Sequence, residues 1–283
     1  MKKLLAVFGM ALALVGCVTP TPGPSPDPGP APTPTPGPGP VVKVVIPEGV
    51  YVGAGLMTYW YKNDPVKDAA LLAANHCNAD YFEGDSEGTV QEGMSDEVRH
   101  AKILARVKAD NAKGITAFIA IANACGGGVF AQRSRDWYFA ECRWYQENFG
   151  NNPMVIVSPL AEWDGMPGDD WVFNGFLSQF HGLIMINKGA RPYEIWGGTW
   201  GIDRHCQNMT DFGGPRGHNV LMNTDGPVLA EIGEPANPEK VYEFILGALN
   251  VECSAMYTAY HSPSLDPAAV KAVGRAIEKR FGK

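Results

Sequence analysis

Two glutamates, Glu162 and Glu231, each close a short apolar run, Met154-Val155-Ile156-Val157-Ser158-Pro159-Leu160-Ala161 and Pro227-Val228-Leu229-Ala230. Both runs read as buried strands, and in both a carboxylate marks the point where the strand leaves the core. A carboxyl on each of two such strands is the minimum equipment for cleaving a glycosidic bond. One carboxyl must stay protonated to serve the leaving oxygen, and the other must be ionised to attack the sugar carbon. Glu162, between Ala161 and Trp163 and close to Leu160, has the more apolar setting, which raises a carboxyl pKa, and is the expected acid/base. Glu231 is the expected nucleophile. A carboxyl separation of ~5–5.5 Å would retain anomeric configuration and ~6.5–9.5 Å would invert it.

Other side chains at strand ends fit the handling of a sugar. Glu83 and Asp85 lie on one face of an extended segment, because side chains alternate with period two, and are candidate ligands for hydroxyls. Asn223 stands before the second glutamate run. Flat aromatic faces stack on sugar rings, and Trp60, Trp163, Trp196, Trp200 and Tyr260 all follow predicted strands. Trp137, Trp144 and Trp171 fall at helical core spacing instead. The six histidines form no HxH or HExxH pattern, so neither a metal site nor any other cofactor is expected. No GxSxG supports a serine nucleophile.

These residues need a frame, and alternating signals supply one. Strands are predicted at Val50–Leu56, Ala79–Phe82, Ile115–Ala122, Met154–Leu160, Tyr193–Trp196, Asn219–Asn223, Val228–Ile232 and Ser254–Thr258. Helices are predicted at Pro65–His76, Asp96–Lys113, Ser134–Phe149, Asp170–Asn187, Pro238–Asn250 and Asp266–Phe281. Eight strands alternating with helices argue for an α/β fold, a closed (β/α)8 TIM-type barrel whose active site forms at the C-terminal ends of the strands. The region between the fifth and seventh strands fits least well: Gly201 to Gly217 is glycine-rich, and only Thr224 to Pro227 separates the sixth strand from the seventh. The barrel is expected either to lack a helix there or to form a hairpin. An open doubly wound sheet is the competing architecture, weakened by the absence of a glycine-rich nucleotide turn after the first strand.

The arrangement resembles the large superfamily of retaining glycoside hydrolases known as clan A. Ala230-Glu231-Ile232-Gly233 is similar to the sequence around that family's nucleophile. Pro159-Leu160-Ala161-Glu162-Trp163 stands where its acid/base motif would be, with Ala161 in the place of an asparagine that binds the sugar 2-hydroxyl. The resemblance implies a poly- or oligosaccharide substrate. Two alternatives belong to other classes: a surface glycan-binding protein built on a degenerate barrel, and a metal-dependent hydrolase using Asp85, His205 and Asp225.

The N-terminus implies export. Met1-Lys2-Lys3 precedes an apolar stretch from Leu4 to Val15, shorter than the ~20 residues of a membrane span. Leu14-Val15-Gly16-Cys17 resembles a bacterial lipobox, which implies a signal peptide over 1–16, an acylated Cys17 and a lipid membrane as partner. The proline-rich 17–40 segment is expected to be a polyproline II stalk carrying the barrel, 41–283, at the cell envelope. The chain is expected to be a monomer. Its formal charge is −7, and loss of Lys2 and Lys3 makes it more acidic still, which argues against nucleic acid as a partner. Export permits disulfides, and strand-end positions suggest Cys77 with Cys253 and Cys125 with Cys206, leaving Cys142 as a buried thiol.

Overall fold

Eight short segments, apolar on both faces, form one parallel sheet. A computed structural model describes residues 44–123, 129–161, 170–186, 200–201, 229–233, 237–250, 254–259 and 262–283. The strands are β1 (Val52–Leu56), β2 (Ala79–Asp85), β3 (Thr116–Ala122), β4 (Val155–Ser158), β5 (Leu183–Ile186), β6 (Trp200–Gly201), β7 (Leu229–Gly233) and β8 (Ser254–Ala259). Their order is β6-β5-β4-β3-β2-β1-β8-β7. Every pairing is parallel. Helices lie between the strands: α1 (Pro65–Ala74), α2 (Glu87–Gln91), α3 (Asp96–Asn111), α4 (Arg135–Phe149), α5 (Asp170–Gln179), α6 (Pro238–Asn250) and α7 (Pro267–Phe281). The fold is an α/β barrel of the (β/α)8 type. The expected signal peptide, 1–16, and stalk, 17–40, lie outside the described residues.

Alternation along the strands sorts the apolar residues into two cores. Ala79, Tyr81, Phe118, Ala120, Ile156, Met185, Leu229 and Met256 pack together on the inner face, with Met57 and Ala161. Their neighbours Val52, Ala54, Phe82, Ala117, Ile119, Val155, Val157, Ile232 and Ala255 pack outward against the helices. Each fully buried aliphatic or aromatic side chain contributes on the order of 1.5–3 kcal/mol, so a one-residue slip that exchanged the faces would be severely destabilising. Gly53 and Gly55 face the lumen where β1 and β2 approach closely. A Cβ on Gly53 would stand 1.8 Å from the carbonyl oxygen of Ala79.

Local signals start the helices. Ser95 and Ser134 accept hydrogen bonds from the backbone amides of Val98 and Trp137, capping α3 and α4. Asp64 and Asp266 cap α1 and α7, each followed by a proline whose missing N–H costs nothing in the first turn.

Three sequence expectations are corrected. The helix expected over Asp170–Asn187 ends at Gln179, and Leu183–Ile186, assigned to its last turns, is β5. Phe176, Leu177, Phe180, Leu183 and Ile184 continue an apolar pattern across the break, which only the pair His181-Gly182 marks. The fifth strand is therefore not Tyr193–Trp196, which lies outside the described residues, and Trp200 belongs to β6 instead of a loop. Asn219–Asn223 also lies outside them. Residues 202–228 separate β6 from β7, more than the dozen or so that a parallel crossover requires. Finally, Cys77 is a free thiol and forms no bond to Cys253. It is 5% exposed within the sheet–helix core, its Sγ 3.8 Å from the Asn75 carbonyl. Cys142 is a buried free thiol as expected, and burial pushes it up to about 12. Cys17, Cys125, Cys206 and Cys253 lie outside the described residues.

Candidate active site

Glu231 is the third residue of β7. Leu229, two residues earlier, packs in the lumen, and period-two alternation turns Glu231 to the same side. It is 2% exposed. Thr258, on the lumen face of β8 two residues beyond Met256, donates its hydroxyl to Glu231 Oε1 at 2.6 Å. A buried carboxylate needs such partners, since desolvation otherwise disfavours its charge.

Glu83 is a second buried carboxylate on the inner face, two residues beyond Tyr81 on β2 and 1% exposed. Its Oε1 accepts a hydrogen bond from Asn123 Nδ2 at 2.7 Å. Asn123 follows β3 and is half-buried. It extends the ladder with a parallel bridge to Ala161, whose amide donates to the Ala122 carbonyl at 2.8 Å. Ala161 is fully buried in the lumen cluster. This bridge therefore involves the residue immediately before Glu162 in the sequence. Glu162 itself, Trp163, Trp196, Asn223 and Tyr260 lie outside the described residues, as do His205 and Asp225.

Two expected sugar ligands have other employment. Asp85 does not share the inner face with Glu83. Its ladder partner Ala122 packs in the sheet–helix core, whereas Ala120, the partner of Glu83, packs in the lumen. The Asp85 carboxylate is fully buried, its Oδ2 taking Arg133 Nε at 2.8 Å and its Oδ1 taking Arg133 Nη2 at 3.0 Å and Thr89 Oγ1 at 2.9 Å. Arg99 Nε stands 3.9 Å from the same Oδ1. That bidentate pair ties the end of β2 to the segment before α4, and it removes Asp85 both from sugar binding and from the metal trio. Trp60 is corrected likewise. It is 2% exposed in the sheet–helix core, with Phe82 at 5.0 Å and Tyr61 at 6.0 Å between ring centroids, so neither face is open for stacking.

Among the described residues no group of three or more His, Cys, Asp or Glu is placed to hold a metal ion. Thr258, Asn123 and Arg133 were missed from the sequence. Asn123 carries the signal that exposed the two glutamates, being the first polar residue after the apolar strand Ala117–Ala122. Arg133 has no such signal.

No protein-family model matches the chain, and no curated protein matches it in sequence. Its structure is similar to that of a glycoside hydrolase family 5 protein from Bacteroides vulgatus, at 11% identity and a TM-score of 0.52, over 78% of this chain and 63% of that one. It is also similar to a second structure described as a glycoside hydrolase, at 9% identity and a TM-score of 0.53, over 84% of this chain and 73% of that one. The chain spans less than two thirds of the Bacteroides protein. Likeness at such identities is a likeness of fold, the (β/α)8 barrel.

Proposed function

We propose that this chain is a retaining glycoside hydrolase that acts on a poly- or oligosaccharide, with Glu231 as nucleophile and Glu162 as acid/base. The observation that carries the reading is Glu231 itself, a carboxylate buried on the inner face of β7 with a hydroxyl donor 2.6 Å away. An acid so placed is costly to a merely structural core, and barrel enzymes gather catalytic groups at this end of their strands. The neighbouring structures of this fold that are described as glycoside hydrolases add support.

In the reaction, Glu162 gives a proton to the glycosidic oxygen as the bond to the anomeric carbon breaks. Glu231 attacks that carbon and forms a glycosyl-enzyme ester. Glu162, now ionised, takes a proton from water, which hydrolyses the ester and releases the sugar with its original configuration. The hydroxyl of Thr258 fixes one oxygen of Glu231 during the attack.

The test is a panel of p-nitrophenyl glycosides and oligosaccharides of glucose, mannose, xylose and galactose. Hydrolysis by the wild type with retained anomeric configuration in the proton NMR spectrum, abolished by Glu231→Gln, is the expected result. Turnover that survives Glu231→Gln overturns the assignment. Oligosaccharide binding without any turnover would identify a glycan-binding protein instead.

A lipid on Cys17 completes the proposal, supported by the Leu14-Val15-Gly16-Cys17 sequence after the apolar segment. No helix among the described residues is long and apolar enough to cross a membrane. Membrane-fraction protein labelled by a radioactive fatty acid, and its loss in Cys17→Ser, is the expected outcome in a bacterial host.

A further inference from the structure

The ends of β3 and β4 depart from regular alternation at the same rung. Ala120 pairs with Ser158, and three residues further Asn123 pairs with Ala161. In straight strands an offset of three reverses the face. Yet Ala120 and Ala161 both pack in the lumen cluster, and Asn123 reaches Glu83, which is also on the inner face. Each strand has therefore slipped by one residue, and the two slips preserve the register. Such irregularities re-aim a side chain and are found beside active sites.

The rung brought inward offers two unlike groups. Ala161 contributes a methyl, and Asn123 a carboxamide. Glu83 fixes how that amide is presented: a buried carboxylate only accepts, so the amide nitrogen faces it and the carbonyl edge is set by default. Glu83 is 1% exposed, and a buried acceptor facing the amide fixes the plane in which Asn123 is held. In the sequence, Ala161 is followed directly by Glu162.

We propose that Asn123 contacts substrate, its carboxamide hydrogen-bonding a ring hydroxyl of the sugar bound at the end of β4, and that Glu83 is its positioning residue. The inference rests on the glycosidase reading and deepens it. It gives the hydroxyl-reading role to an amide on β3, where β4 has only Ala161, and it replaces the expectation that Glu83 binds sugar directly.

The experiment uses the p-nitrophenyl oligoglycoside that the full chain hydrolyses best, together with its monodeoxy analogues. Removing the contacted hydroxyl should lower kcat/KM of the wild type about 10- to 100-fold, because a polar group of the site then loses its partner. Asn123→Ala should show a similar loss on the parent substrate and be indifferent to that one deoxygenation. Glu83→Gln, which still offers an acceptor, should stay close to wild type. Glu83→Ala should fall to the level of Asn123→Ala, and the double variant should fall no further. Should Asn123→Ala not fold, Asn123→Ser gives the same reading. An Asn123 variant that keeps the full discrimination among deoxy analogues overturns this inference and leaves the glycosidase reading intact. If the wild type hydrolyses nothing, calorimetry with the same oligosaccharides decides: binding lost in Asn123→Ala upholds the contact, and no binding by either protein overturns both readings.

Discussion

Thr258 Oγ1 lies 2.6 Å from Glu231 Oε1, a bond between β8 and β7 that reaches diagonally along the ladder, since Glu231 is in register with Met256. The relationship matters because both groups are buried and both belong to the inner face. A hydroxyl donated to a carboxylate favours the ionised form and fixes its plane, the two properties a nucleophilic carboxylate needs.

Removing that hydroxyl without changing side-chain shape is the direct probe. Thr258→Val should lower kcat about 10- to 100-fold, as expected for a hydrogen bond to a charged group. It should also move the acidic limb of the pH–rate profile to higher pH, because the carboxylate then holds its proton more tightly. Thr258→Ser keeps the donor and should restore both rate and profile to near wild type. Steady-state kinetics from about pH 4 to 8 read all three variants.

Asp85 should act on stability. It is fully buried and bidentate to Arg133, so Asp85→Ala strands a cation and should cost about 3–5 kcal/mol. That corresponds to a fall in Tm on the order of 6–20 °C for a domain of this size, read by calorimetry. A sugar-binding role would instead raise KM with Tm unchanged.

Trp60 separates packing from stacking in the same way. Its ring lies against Phe82 and Tyr61, and its Nε1 is buried without a hydrogen-bond partner. Trp60→Phe should therefore be mild, at most ~1.5 kcal/mol, because it keeps most of the aromatic bulk and removes an unsatisfied N–H. Trp60→Ala should cost about 3–5 kcal/mol through the cavity. Neither should change KM more than about twofold in molecules that remain folded.

What the sequence made legible follows the reach of local signals. Glu231 stood out as the first polar residue after the apolar run Val228-Leu229-Ala230, and the structure places it in β7 on the inner face. Helix starts were legible at Ser95, Ser134, Asp64 and Asp266, where side chains cap the first turn. The α5–β5 boundary was not, since Phe176, Phe180 and Leu183 span a helix, a turn and a strand with one apolar pattern, and only His181-Gly182 marks the break. Asp85 misled for a different reason. Period two places it with Glu83, but at the strand end it sits beside Ala122 of the sheet–helix core and pairs with Arg133, a partner 48 positions away that no local pattern reveals. Trp60 follows a strand as a binding aromatic would, and only tertiary packing shows it to be core.

Asp110, far from the proposed chemistry, yields a pH prediction of the opposite sense to most carboxylates. It lies at the end of α3 behind β2, and its oxygens meet no N–H or O–H donor, while Asp80 beside it is held by Arg106 through bonds of 2.6 and 3.1 Å. Burial first, and the charge of Asp80 second, push Asp110 from 3.8 up to about 9, with Arg106 opposing. A proton kept on Asp110 supplies a donor between it and Asp80. The unfolded chain gives up that proton near pH 4, whereas the folded protein keeps it to about pH 9. Folded molecules therefore bind more protons across this window, and stability falls as pH rises through it. Asp110→Asn mimics the protonated acid at every pH. It should raise stability at pH 7–8 by on the order of 1–3 kcal/mol, a few degrees in Tm, and the gain should shrink to nothing toward pH 4. Thermal unfolding of both proteins from pH 4 to 8 checks this, and a gain independent of pH would show that Asp110 is ionised in the fold.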